Sequence, residues 1–254
     1  TTELVVSGMG QLHLDVTQDR LKRKFGVNAN VSKPKIPFKE TVKGKADVRY
    51  RHKKQSGGAG QFGEVAIRLM PLPSGEESEN GLQFMDKIVG GVIPGQYIPS
   101  VEKGIRNTMV QGILAGYRVK DIRVELYDGK SHPVDSKDIA FQIAGAQALK
   151  QGFQQANPIL LEPIMKVEIV VPEANMGDVI GDLNSKRGRV MGMDSRGNKQ
   201  VIIAQVPLME LQMYEPELRS MTGGRGQFTM AFDGYEELPG NLADQVIAES
   251  KKEE

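Results

Sequence analysis

The chain has 254 residues, 39% hydrophobic and 26% charged, with a net charge of +1 and no cysteine. That length holds two domains, or two and part of a third. The lack of cysteine excludes a disulfide framework and a cysteine-ligated metal centre, no apolar run reaches the ~20 residues of a membrane helix, and the opening Thr1–Thr2–Glu3 does not read as a signal peptide.

The net charge hides an asymmetry. Residues 1–42 carry 7 basic and 4 acidic side chains, residues 43–160 carry 16 and 12, residues 161–240 carry 8 and 12, and residues 241–254 carry 2 and 4. The front leans toward a polyanionic partner and the back does not. The margin is modest, so any binding to such a partner has to come from local patches.

In chain order, Leu4–Val5–Val6 reads as a short apolar strand. Leu12, Leu14, Val16 and Leu21 lead into Lys22–Arg23–Lys24, the pattern of a helix that stops near Phe25–Gly26. Val27, Ala29 and Val31 alternate as in a strand. Strand, helix and strand make half of a two-layer α/β unit, too little for a core of its own. Residues 1–42 are therefore expected to be an incomplete domain of a longer protein, with Pro34 and Pro37 marking its exit.

Residues 43–160 read as the next unit. Ala46, Val48 and Tyr50 alternate, as do Val65, Ile67 and Leu69, and Pro71 to Asn80 is a polar loop. Ile98, Val101, Ile105, Met109, Gly112 and Ile113 fit helical spacing, with Pro99 in the first turn. Val119, Ile122, Val124 and Leu126 predict a strand. Ser136 is placed to cap a helix whose face carries Ile139, Ile143, Ala146, Leu149 and Phe153.

Residues 161–240 read β-α-β-β-α-β, a ferredoxin-like order. Strands are predicted near Ile164–Val171, Gly188–Asp194, Gln200–Val206 and Gln227–Tyr235, and helices near Asn175–Ser185 and Leu208–Met221. The aromatic signature of RNA-binding sheets with this order is missing. Met176, Met191, Met193, Met209, Met213, Met221 and Met230 read as core filler. Residues 241–254 are expected to form a final helix and a charged tail.

The segment that most constrains function is Gln55–Ser56–Gly57–Gly58–Ala59–Gly60–Gln61–Phe62–Gly63. Four glycines let backbone approach a partner closely. The stem before them carries Lys43, Lys45, Arg49, Arg51, Lys53 and Lys54, opposed locally only by Asp47. Lys53 and Lys54, with Arg51, are candidates for phosphate contact, and Gln55 and Gln61 for base or ribose edges. His132 lies in the turn Asp128–Gly129–Lys130–Ser131–His132–Pro133, with no second histidine at metal-ligand spacing. Lys186–Arg187–Gly188–Arg189 and Gly223–Gly224–Arg225–Gly226 are turns that bring arginines to a surface. Neither they nor any other segment fits the phosphate loop G-x-x-x-x-G-K-[ST]. No acid–base pair and no nucleophile with its base stands out.

Seven segments, in order, resemble bacterial elongation factor G: Ser7–Leu14, Gln55–Gly63, Ile93–Val101, Tyr127–Gly129 with His132 to Ser136, Glu162–Met165, Gly181–Gly188 and Thr222–Phe228. The resemblance implies an α+β chain: half of a ferredoxin-like domain III at 1–42, domain IV at 43–160, domain V at 161–240, then the terminal helix and tail. Domain IV would have a ribosomal-protein-like fold with a left-handed crossover. The segment 55–61, His132 and Lys137 would reach the decoding centre of the small ribosomal subunit. Lys186, Arg187 and Arg225 would face large-subunit RNA near the stalk base and the sarcin–ricin loop.

The implied activity is translocation of tRNA and mRNA by insertion of domain IV into the A site, and ribosome splitting with a recycling factor. GTP and Mg would be handled by the parent protein and no cofactor by this chain, which would be a non-enzymatic, monomeric, cytoplasmic piece without membrane contact. Pro133 stands where an acidic residue is expected, Lys137 where a small polar one is, and Ala59 where a polar or basic one is. These departures leave room for a paralogue. A tetracycline-protection-type factor and a stand-alone RNA-binding module are the alternatives.

Overall fold

The computed structural model describes residues 4–6, 8, 10–55 and 60–253. The chain divides into two compact units, one formed by Thr1–Pro37 with Glu162–Glu236 and the other by Phe38–Leu161 with Glu237–Glu254.

In the first unit, helix α1 (Gln11–Phe25) ends where predicted. Gly26 takes the left-handed conformation (φ 68°) and returns its N–H to the last turn, which carries Lys22, Arg23 and Lys24 beside its free carbonyls. The strands expected at Leu4–Val6 and Val27–Val31 do not form. A strand needs a partner's N–H and C=O groups, and no strand among the described residues lies alongside. Leu4 and Val31 remain 94% and 71% exposed.

The second unit opens with β1 (Lys39–Val42), β2 (Ala46–Lys54), β3 (Gln61–Pro71) and β4 (Leu82–Asp86). Helix α2 (Ile98–Gln111), β5 (Ile122–Lys130), α3 (Asp138–Gln155) and β6 (Pro158–Pro172) follow. Four strands form a sheet in the order β2-β3-β5-β4. The pairs β2–β3 and β3–β5 are antiparallel, while β4 and β5 are parallel and joined through α2. The strand faces carrying Val65, Ile67, Leu69, Val124 and Leu126 and the helix faces carrying Val101, Ile105, Phe141, Leu149 and Phe153 share one core, all fully buried. Each such aliphatic or aromatic side chain contributes about 1.5–3 kcal/mol. The two helices touch closely: a Cβ on Gly104 would stand 2.1 Å from the Gln142 carbonyl oxygen. Separately from that four-stranded sheet, β1 pairs antiparallel with residues 158–161 of β6. There Glu40, 0% exposed, accepts four backbone N–H groups, from Ile113, Leu114, Ala115 and Tyr117, at 2.7–2.9 Å. The loop after α2 is wrapped around this one carboxylate.

Residues 162–172 of β6 belong to the first unit. They are followed by α4 (Met176–Ser185), β7 (Arg189–Arg196), β8 (Lys199–Pro207), α5 (Leu208–Leu211), α6 (Tyr214–Met221) and β9 (Gln227–Glu237). The sheet order β9-β6-β8-β7 gives the predicted ferredoxin-like β-α-β-β-α-β unit, and the chain as a whole is α+β. The helix predicted over Leu208–Met221 is two helices. Pro216 has no N–H to give the Gln212 carbonyl, so the chain restarts at Met213 (φ −124°, ψ 23°). The methionines are not core filler throughout: Met191, Met193, Met213 and Met230 are exposed. Strand β7 is a sheet edge, with a bulge between Val190 and Gly192. Helix α7 (Gly240–Glu253) returns to the second unit. No helix among the described residues is long and apolar enough to cross a membrane.

Candidate nucleic-acid interface

The β2–β3 hairpin pairs Lys54 with Gln61 and Arg51 with Glu64, and β3 then sets Glu64 opposite Lys130 at the end of β5. Antiparallel pairing thus carries the glycine-rich turn and the His132 segment to the same end of the sheet. Of the predicted turn, Ser56, Gly57, Gly58 and Ala59 lie outside the described residues. Gln55 is exposed, Gly60 is buried, and the Gln61 amide oxygen is 3.0 Å from His52 Nε2.

The two loops are tied to each other. Phe62 N–H donates to the Asp135 carbonyl at 2.9 Å, and Gly60 N–H donates to Asp135 Oδ1 at 3.2 Å. A Cβ at 60 would stand 2.8 Å from Asp135 Cγ, so a side chain there would displace the Asp135 carboxylate. Ser136 Oγ donates to the Phe62 carbonyl at 2.9 Å and accepts the His132 N–H at 2.8 Å. Ser136 therefore does not cap α3, whose first residue is Asp138; the hydroxyl is already committed to the loops. Tyr97 OH donates to the Ser136 carbonyl at 3.0 Å and stacks its ring on buried Phe141, 4.8 Å between centroids. The loop pair is thereby anchored in the core.

His132 sits within this brace with its side chain 49% exposed. Its Nδ1 accepts backbone N–H groups from Val134 (3.3 Å) and Asp135 (3.1 Å), and its ring lies 6.1 Å from that of Phe62. Lys137, Lys53 and Lys54 are exposed, and among the described residues none of the three is in an ion pair.

Of the rest of the basic stem, Lys43, Arg49 and Arg51 are neutralised, while Lys45, at the other end of β2, is exposed. Arg49 pairs with Glu64 at 2.8 Å and with Asp128, Arg51 pairs with Glu64, Arg68 pairs with Asp47 at 3.3 Å, and Lys43 pairs with Glu237. Burial pushes the 5%-exposed Glu64 carboxyl up, but the hydrogen bonds from Arg49 and Arg51 outweigh it and hold the group below the usual carboxylate range. Arg49 holds Asp128 down in the same way, with help from the Gly129 N–H. The middle of the sheet face is therefore a lattice of paired charge, and among the described residues Lys53, Lys54 and Lys137 stand outside it at the tip. Arg51, expected to meet phosphate, is a member of that lattice.

In the first unit, Lys186 and Arg187 are also spent on carboxylates. Lys186 reaches Glu217 at 2.8 Å and Asp182 at 3.7 Å. Arg187, in the left-handed conformation (φ 58°), grips buried Glu162 with two nitrogens at 2.5 and 2.9 Å and Glu210 at 3.0 Å. These two side chains hold the unit together. Arg225 is exposed, its Nε donating to the Thr222 carbonyl at 3.2 Å. Among the described residues no three His, Asp or Glu side chains gather as a metal ion requires. Residue spacing does not reveal Glu64, Asp128, Asp135, Phe62 or Tyr97 as partners; strand register brings in Glu64 and Asp128, and the folded loops bring in the others.

Three family models match in succession: elongation factor G domain III over residues 1–33, domain IV over 34–157 and the elongation factor G C-terminus over 159–246. An elongation factor G-like protein of Thermotoga maritima is 53% identical over the whole chain, and elongation factor G of Aquifex pyrophilus is 51% identical over 98% of it. A crystal structure of a Thermus thermophilus protein superposes with a TM-score of 0.86 at 40% identity, covering 97% of this chain and 36% of that one. The chain belongs to the elongation factor G family. It spans 37% and 35% of the length of the two relatives.

Proposed function

We propose that residues 38–161 form the RNA-facing end of a ribosomal translocation factor. The joined loops at 55–61 and 131–137 enter the small-subunit decoding centre and help move the tRNA–mRNA pair. The observation that carries this reading is the tip itself: two loops distant in sequence, hydrogen-bonded into one end, where the unpaired lysines collect above a neutralised sheet. Phosphates attract such lysines, and an exposed imidazole suits ribose and base edges. Family membership supports the ribosome as partner and the cytoplasm as location. Arg225 is the contact we assign to large-subunit RNA. GTP hydrolysis with Mg belongs to the whole protein, and this chain contributes binding and movement without bond chemistry.

A specialised paralogue is the second reading. Pro133 and Lys137 favour it, and so does the elongation factor G-like Thermotoga maritima relative. The test is His132→Ala in the full-length protein, with translocation and GTP hydrolysis timed on one ribosome preparation. Translocation should slow roughly 5–30-fold, the equivalent of ~1–2 kcal/mol, with hydrolysis nearly unchanged. Equal loss of both rates, or no loss of either, refutes the reading.

A further inference from the structure

We infer that His132 acts at the tip as a hydrogen-bond donor through Nε2, and that Ser136 is the positioning residue that makes it one. An imidazole can offer either nitrogen as donor, and which one carries the hydrogen is fixed by what faces the other. Here two backbone N–H groups, from Val134 and Asp135, are directed at Nδ1. A hydrogen on Nδ1 would collide with both. The competing influence is the Asp135 carboxylate, whose Oδ2 is 3.5 Å from Nδ1 and would favour a hydrogen there. It is the weaker of the two: it makes no hydrogen bond to the ring, and its Oδ1 is occupied by the Gly60 N–H. Two aligned donors prevail over one distant acceptor. The neutral ring therefore carries its hydrogen on Nε2.

The turn that aims those N–H groups is closed by Ser136. Its Oγ accepts the His132 N–H, its own N–H returns to the His132 carbonyl at 3.2 Å, and its hydroxyl hydrogen is given to the Phe62 carbonyl across the gap between loops. One hydroxyl thus sets the turn and fastens it to the hairpin. An Nε2–H donor selects acceptors on its partner: a ribose oxygen, a base carbonyl or ring nitrogen, or a phosphate oxygen.

This inference rests on the proposed contact between tip and RNA, but its first test does not. The chain has three histidines, so side-chain ¹H–¹⁵N spectra under alkaline conditions resolve each ring. His132 should show the Nε2–H pattern. Ser136→Ala should give a mixture of tautomers without loss of the folded core, and Ser136→Thr, which keeps the hydroxyl, should restore the single form. An Nδ1–H pattern, or a Ser136→Ala spectrum identical to the parent, overturns the positioning role whatever the ribosome does. The second test uses the full-length factor. Glutamine places its amide nitrogen near the position of Nε2, and asparagine near that of Nδ1. His132→Gln should translocate within about 3-fold of the parent, while His132→Asn and Ser136→Ala slow roughly 5–30-fold. Equal losses in the Gln and Asn variants overturn the donor role. A silent His132→Ala beside an intact Nε2–H spectrum refutes the RNA contact, and the donor role with it, while leaving the brace standing.

Discussion

The distribution of paired and unpaired charge on the hairpin predicts which cations meet phosphate. Lys53 and Lys54 have no carboxylate partner among the described residues, whereas Arg51 is paired with Glu64, which is 5% exposed. Each cation that neutralises a phosphate adds roughly 0.7–0.9 to the slope of log affinity against log salt. The double substitution Lys53→Ala with Lys54→Ala should therefore lower that slope by about 1.4–1.8. Over a fourfold change of salt the parent then loses roughly 7–12-fold more affinity than the variant. Arg51→Ala should lower the slope by well under ~0.7, because its charge is already compensated. It should instead loosen the hairpin, since Glu64 would keep only Arg49. Salt titration of full-length factor binding to small ribosomal subunits reads the slopes, and hydrogen exchange in β2 and β3 reads the loosening. Equal slope losses for Arg51 and for a single lysine would mean that the ion pair opens on binding, and the argument from pairing would fail.

Glu40→Gln should destabilise the second unit by about 3–5 kcal/mol, because the amide keeps an acceptor for only two of the four N–H groups and turns its own NH2 on the others; hydrogen exchange should rise within 38–161 and stay unchanged within 162–236. Glu64 and Asp128 are held below their usual values, so the unfolded chain binds their protons more tightly. The stability they lend is present above the ordinary carboxylate pKa of ~4 and is lost as pH falls through the lower folded values. Glu64→Gln should flatten that acid limb, and a limb of unchanged steepness in urea titrations would count against the lattice. Tyr214 is fully buried and its hydroxyl has no hydrogen-bond partner among the described residues. Tyr214→Phe should accordingly raise the first unit's stability by ~1 kcal/mol, and a loss of stability would point to a hidden partner.

The elements most legible in the sequence are those whose pattern and packing agree. Alternation in β3, β5, β6 and β8 follows faces that are buried in the fold, and α2 shows its spacing because Val101, Ile105 and Met109 all face the core. Helix α1 is legible from its cap and its basic last turn. The flanking segments at Leu4–Val6 and Val27–Val31 have strand-like alternation with no sheet to join, and propensity alone does not form a strand. Edge strand β7 misleads in the opposite sense: its methionines look like core residues, yet a bulged edge has no second layer over those positions. The break between α5 and α6 is written in Pro216, whose effect falls four residues upstream of the proline itself.

At the site, residue types are legible and their partners are not. The glycine turn and His132 announce a loop chemistry through composition, which sequence displays directly. Charge does not behave that way, because neutralisation is set by register. The stem's six cations face one local acid in sequence, but β3 brings Glu64 across from Arg51, and β5 brings Asp128 within reach of Arg49 from 79 residues away. An antiparallel sheet thus sorts charge by position along the strand: cations in the middle of β2 meet carboxylates on β3 and β5, and those beyond the last paired carboxylate keep their charge. Tertiary packing does the same at Lys186 and Arg187 after α4, where Glu217, Glu162 and Glu210 close on two cations that resemble a surface patch in the linear chain. On this hairpin a polyanion therefore meets Lys53 and Lys54 at the strand end rather than Arg49 and Arg51 in mid-strand. By that logic Lys53 and Lys54 are charge that the hairpin leaves available to RNA.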